Sequence, residues 1–127
     1  MGNDRALDLR IGRRVRLAPV PIRMTWSAPG WLRRRTIEVD GHLIEVSVTG
    51  AQLLGPEKPA LTVGTQVQVD VGADAQAIGR VTRVLSIETH MLYGVEIVRS
   101  SPAYAAMVGE RITSGRGDTE LAWRRAR

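Results

Sequence analysis

The 127-residue chain has no cysteine, no phenylalanine, a single lysine and no apolar run approaching the ~18 residues that a membrane helix needs. Without cysteine there are no disulfides, no thiol nucleophile and none of the thiolate zinc sites, so a hydrophobic core must hold the fold alone. The sole lysine, Lys58, precedes Pro59, which excludes a Walker-type phosphate loop, and no Gly-x-Ser-x-Gly elbow occurs. The two histidines, His42 and His90, have no metal-ligand spacing and read as surface residues. These absences point away from an enzyme and away from a bound metal or cofactor. The start, Met1-Gly2-Asn3-Asp4-Arg5-Ala6, lacks a signal-peptide apolar segment and a myristoylation pattern, so the expectation is a cytoplasmic, unanchored protein.

What is abundant is arginine. The formal charge of +5 rests almost wholly on it, and the planar guanidinium suits phosphate and the O6/N7 edge of guanine better than a lysine point charge. Arg5, Arg10, Arg13, Arg14, Arg16, Arg23 and Arg33 to Arg35 crowd the N-terminal part against only Asp4 and Asp8, which places an anion site there. A basic nucleic-acid-binding barrel is one reading of such a chain. Three tryptophans and two tyrosines make a thin stacking surface for that purpose, so nucleic acid is the weaker alternative.

Residues 1–13 carry no sustained periodicity and are expected to form a flexible arm. The pattern predicts a first strand from Val15 to Trp26, with Pro19 and Pro21 confining part of it to an edge or an irregularity, then a turn at Ser27-Ala28-Pro29-Gly30 and a second extended run from Trp31 to Val39. Trp26 and Trp31 flank that turn and are expected to pack across it. Asp40-Gly41 is either a two-residue hairpin turn or a bulge within one long bent strand. In the run from Leu43 to Val48 apolar residues alternate only loosely, with Glu45 and Ser47 on one face and Ile44, Val46 and Val48 on the other, and Gly50 ends the run. Thr65 to Val71, Ala77 to Glu88 and Leu92 to Val98 alternate as further strands. Ser101-Pro102 opens a helix to Ile112, with Ala103, Ala106 and Met107 as its inward positions. The expected fold class is all-β: a small antiparallel six-stranded barrel with a short C-terminal α-helix, spanning residues 14–113, followed by a basic tail at 114–127.

Two short elements about thirty residues apart carry a specific resemblance: Arg10-Ile11-Gly12-Arg13-Arg14, an arginine pair at i and i+4, and Glu45-Val46-Ser47-Val48-Thr49-Gly50. Together they resemble the signature of PilZ domains, Arg-x-x-x-Arg followed by Asp/Asn-x-Ser-x-x-Gly, with glutamate in place of the aspartate or asparagine. Tyr93-Gly94-Val95-Glu96-Ile97 is similar to the family's Gly-Val-x-Phe strand, with isoleucine for the aromatic.

The resemblance implies a PilZ-like barrel that binds the bacterial second messenger cyclic di-GMP and signals through a protein effector. It implies that Arg10 and Arg14 clamp phosphate or the guanine O6/N7 edge, that Arg13 reaches another phosphate, that Glu45 accepts from guanine N1-H and N2-H, and that Ser47 offers a hydroxyl beside the base. Gly50 is then the position where a side chain would obstruct the ligand. Ordering of the arm on binding would present a new surface to the partner. Because the glutamate is a methylene longer than the family residue, the alternative within the family is an adaptor that keeps the fold and does not bind the dinucleotide.

Overall fold

The computed structural model describes residues 14–113; the expected arm and tail, and with them Arg10 and Arg13, lie outside the described residues. Six strands follow in chain order: β1 (Val15–Ala28), β2 (Arg35–Val46), β3 (Gly50–Pro56), β4 (Gln66–Asp70), β5 (Gln76–Ile87) and β6 (His90–Ser100). A helix, α1, covers residues 102–113. All pairings are antiparallel, and the strands close into a barrel in the order β1-β2-β3-β6-β5-β4. Closure removes exposed sheet edges, and one side chain in two is driven inward. The inner set is Met24, Leu43, Val46, Leu53, Val67, Val69, Val81, Tyr93 and Val95, all buried. The Tyr93 hydroxyl is kept satisfied inside by the Leu61 backbone N–H at 2.9 Å.

The two prolines of β1 fall where the ladder tolerates them. The β1–β2 register shifts between Arg16 and Val20, across Pro19, and β4 pairs with β1 only at Arg23 to Thr25, leaving Pro21 with a neighbour on one side. Asp40-Gly41 is not a turn. Both residues lie within β2, paired with Arg23 and Ile22, so the long-strand alternative holds, without a bulge at that point. The glycine is required by a close approach: a Cβ at Gly41 would lie 2.5 Å from the Leu54 carbonyl oxygen and 2.8 Å from Met24 Sδ.

The second strand begins at Arg35 rather than Trp31, and the expected pairing of tryptophans does not occur. Trp26 is buried, whereas Trp31 is 93% exposed in the loop after β1. Trp26 lies in the paired part of β1, opposite Ile37, while Trp31 sits beyond the last β1–β2 pair, Ala28↔Arg35.

The helix start is as expected. Ser101 Oγ accepts the Tyr104 N–H at 3.1 Å, and Pro102 occupies the first helical position, where no N–H is needed. The same oxygen accepts the Gln76 N–H and donates to the Asp74 carbonyl, tying the helix to the β4–β5 connection. The inward stripe differs from expectation: Tyr104 and Val108 are buried and Ala103, Met107 and Ile112 partly so, while Ala106 is exposed. The large side chains at i and i+4 take the core, as a helical stripe would. Burial pushes the Tyr104 phenol up to about 12.

Candidate functional site

Register and three bulges build a cleft on the outside of the barrel. The β2–β3 register shifts between Leu43 and Glu45, and the β5–β6 register shifts between Ile78 and Gly79 and again between Val81 and Arg83. Such insertions re-aim side chains locally. The cross-strand partners run Arg16↔Glu45, Glu45↔Gln52, Gln52↔Gly94 and Gly94↔Arg83, one row across five strands. The adjacent row toward the barrel rim is Gly50↔Glu96↔Arg80. Between these rows and the residues that flank them opens a cleft of about 600 Å³ lined by Arg14, Glu45, Ser47, Thr49, Gly50, Gln52, Thr82, Arg83, Gly94 and Glu96, with Val46, Ala51 and Val95 beneath. That volume lies within the usual range for small-molecule sites.

Of the residues singled out in sequence, Arg14, Glu45, Ser47 and Gly50 therefore meet at one place although they come from two separated segments. Arg14 Nε lies 3.8 Å from Glu45 Oε1; the arginine side chain is 69% exposed and the carboxylate 14%. The pair is an open contact in which the guanidinium keeps most of its donors free among the described residues.

Glu45 and Ser47 share the cleft and Val46 lies opposite them, as expected, but Val48 does not join Val46. Because of the bulge after Leu43, Leu43 and Val46 both point inward, β2 stops at Val46, Ser47 is buried and Val48 is exposed. Gly50 does not end a strand but opens β3. Residues 47–50 form a tight turn between them. The Ser47 N–H donates to the Gly50 carbonyl at 3.0 Å, and the Gly50 N–H donates to Ser47 Oγ at 3.0 Å. The Ser47 hydroxyl is thus engaged by its own turn. A Cβ at Gly50 would stand 2.8 Å from the Val95 carbonyl oxygen, so the glycine is needed for β3 to approach β6.

Thr49, Gln52, Thr82, Arg83 and Glu96 line the cleft without having been singled out in sequence. Their signal was present only in part. Gly94 and Glu96 belong to the Tyr93–Ile97 stretch, but Thr82 and Arg83 reach the cleft only through β5–β6 pairing, which no local motif encodes. The Thr82 hydroxyl donates to the Gly94 carbonyl at 3.1 Å, and Arg80 Nη2 bonds Glu96 Oε2 at 3.1 Å, so the far wall is held by its own contacts. The cleft lining holds two arginines, Arg14 and Arg83, and two glutamates, Glu45 and Glu96, the second neutralised by Arg80. An anion entering here would meet Arg14 and Arg83 as donors. Among the described residues there is no cluster of metal-ligating side chains and no helix long and apolar enough to cross a membrane.

No family model matches the chain, and no curated protein matches it by sequence. Solved structures do match in shape. The structure of YcgR in complex with c-di-GMP from Escherichia coli superposes with a TM-score of 0.56 at 15% identity over 90% of this chain, which spans about half (49%) of that longer protein. The PilZ domain of YcgR with c-di-GMP, from the same organism, gives a TM-score of 0.56 at 14% identity, covering 87% of this chain and 94% of that one. The closed six-stranded barrel with its terminal helix is the PilZ-domain fold.

Proposed function

We propose that this protein is a receptor for cyclic di-GMP, binding it in the cleft of Arg14, Glu45, Ser47 and Gly50. The observation that carries the reading is that Arg14, the last residue of the first element, meets Glu45, Ser47 and Gly50 of the second at one cleft of a barrel with the fold of a domain solved with c-di-GMP. A cyclic dinucleotide needs cationic forks for two phosphates, acceptors for guanine N1-H and N2-H, and a flat approach for the base plane. Arg14 and Arg83 supply the forks at the cleft, and Glu45 supplies the acceptor. Gly94, with no side chain between Gln52 and Arg83, leaves the floor level.

The open Arg14–Glu45 contact places the guanidinium at the cleft rim. On binding, the arginine turns to the ligand and the carboxylate accepts from the base. Arg10 and Arg13 add charge from the N-terminal arm, which folds over the dinucleotide. Ordering of that arm alters the surface offered to a protein effector, so the ligand shifts the population of a partner-binding state. Cytoplasmic action as a binding module without catalysis follows from this role.

Titration calorimetry with cyclic di-GMP, with GTP as control, tests the reading. The expected result is saturable binding specific for the dinucleotide, weakened roughly 10- to 100-fold by Arg14→Ala, the value of one or two charge-assisted hydrogen bonds. Absence of binding at high ligand would leave a PilZ-fold adaptor that does not read the messenger.

A further inference from the structure

The loop between β1 and β2 has no part in the cleft. Trp31 is 93% and Leu32 82% exposed, the highest exposures among the large apolar residues described. Arg33, Arg34 and Arg35 follow directly and are exposed as well. No acidic residue occurs between Asp8 and Glu38, nor in residues 60–66 that lie beside the loop, so three cations stand there without a carboxylate in either segment.

Geometry presents this tip outward. β4 covers β1 only as far as Thr25, and the pairs Trp26↔Ile37, Ser27↔Thr36 and Ala28↔Arg35 extend the ribbon past it. Arg34 braces the tip, with Nε donating to Ser27 Oγ at 2.8 Å and Nη2 to the Ser27 carbonyl at 3.1 Å. Beside the braced arginine a second cleft, of about 670 Å³, runs along residues 60–66, and the exposed Val63 lines it.

We infer that this tip docks the protein on the surface of an anionic phospholipid bilayer. Indole prefers the headgroup level, where its ring is half solvated, and leucine goes deeper. Arginines flanking such a wedge are attracted by the negative surface potential of the leaflet. Two adjacent protruding side chains give depth of insertion rather than the ~800 Å² flat patch per partner that a stable protein interface takes. Charge complementarity selects anionic over neutral lipid. The cleft of Arg14 and Glu45 lies at the opposite end of the β1–β2 ribbon, near the Val15↔Val46 pair, so a bilayer-docked molecule keeps it open. The inference is independent of what that cleft binds.

Co-sedimentation of the full chain with phosphatidylcholine vesicles, with and without about a third phosphatidylglycerol, tests it. Binding is expected to the anionic vesicles only, and to fall with salt. The double variant Arg33→Ala/Arg35→Ala, which keeps the bracing Arg34, lowers partitioning about 30-fold, at roughly 1 kcal/mol per arginine. Trp31→Ser/Leu32→Ser abolishes what remains. Thermal melts of the variants matching the parent exclude misfolding as the cause. Failure of the parent to bind anionic vesicles at low salt would overturn the inference, as would binding indifferent to both variants. So would vesicles remaining inert while the same loop captured an acidic protein or a nucleic acid.

Discussion

Ser47→Ala probes the least expected feature of the cleft, the commitment of a serine hydroxyl to its own turn. Ser47 is buried, and its Oγ takes the Gly50 N–H at 3.0 Å while the backbone bond from Ser47 N–H to the Gly50 carbonyl closes the same turn. Alanine leaves the second bond and removes the first. A typical hydrogen bond contributes about 1 kcal/mol net, and a stranded buried donor costs up to about 3 kcal/mol. Gly50 is only half-buried, so water recovers part of the loss and the expected cost is about 1–2 kcal/mol. For a domain of this size that lowers the melting temperature by roughly 5–15 °C. Thermal and urea unfolding of the unliganded protein measure it. Thr49→Ala serves as control: its side chain is exposed, and its carbonyl bond to the Ile97 N–H is unaffected, so a change within about 0.5 kcal/mol is expected. A Ser47→Ala variant as stable as the parent would refute the assignment of this hydroxyl to the turn.

Other consequences are equally open to measurement. Gly41→Ala drives a Cβ to 2.5 Å from the Leu54 carbonyl oxygen, where backbone must yield; a loss of roughly 1–3 kcal/mol in denaturant unfolding is expected, with dinucleotide affinity unchanged because the site is not lined by Gly41. Glu45→Ala removes the proposed base acceptor and lowers cyclic di-GMP affinity at least tenfold by calorimetry, whereas an unchanged affinity would remove Glu45 from the site. The Tyr104 phenol titrates near 10 when unfolded and about 12 when folded, so the unfolded chain loses its proton first as pH rises. Stability contributed by the neutral buried phenol is complete below pH 10 and falls by roughly 2–3 kcal/mol toward pH 12. Tyr104→Phe should flatten that part of the stability–pH curve, and a parent curve already flat between these values would contradict the burial argument.

Much of the architecture was legible because it depends on local pattern. The alternation of Thr65 to Val71 gave β4 to within a residue at each end, and Ser101-Pro102 marked the helix start through a cap that the structure retains. The illegible parts are those decided by distant neighbours. Asp40-Gly41 carries a turn signal, yet its glycine answers to the Leu54 carbonyl and Met24 across the sheet. Glu45 and Ser47 share a face as the alternation indicated, but Leu43 and Val46 both turn inward because a bulge shifts the parity between them, and a bulge has no composition of its own. Trp31 follows the turn as a strand residue would, but the ladder ends at Ala28↔Arg35 and leaves it in the connecting loop. At the cleft, the serine and glycine spacing located Ser47 and Gly50 together, while Thr82 and Arg83 waited on the β5–β6 register.

Whether the cleft is the dinucleotide site is tested most directly by following backbone amide resonances of the labelled protein as cyclic di-GMP is added. The account predicts that the largest shifts fall on Glu45, Ser47, Gly50, Gln52 and Gly94, saturate with ligand, and need a roughly 10- to 100-fold higher concentration to saturate in Arg14→Ala. Shifts concentrated elsewhere on the barrel, or none at saturating ligand, would contradict it.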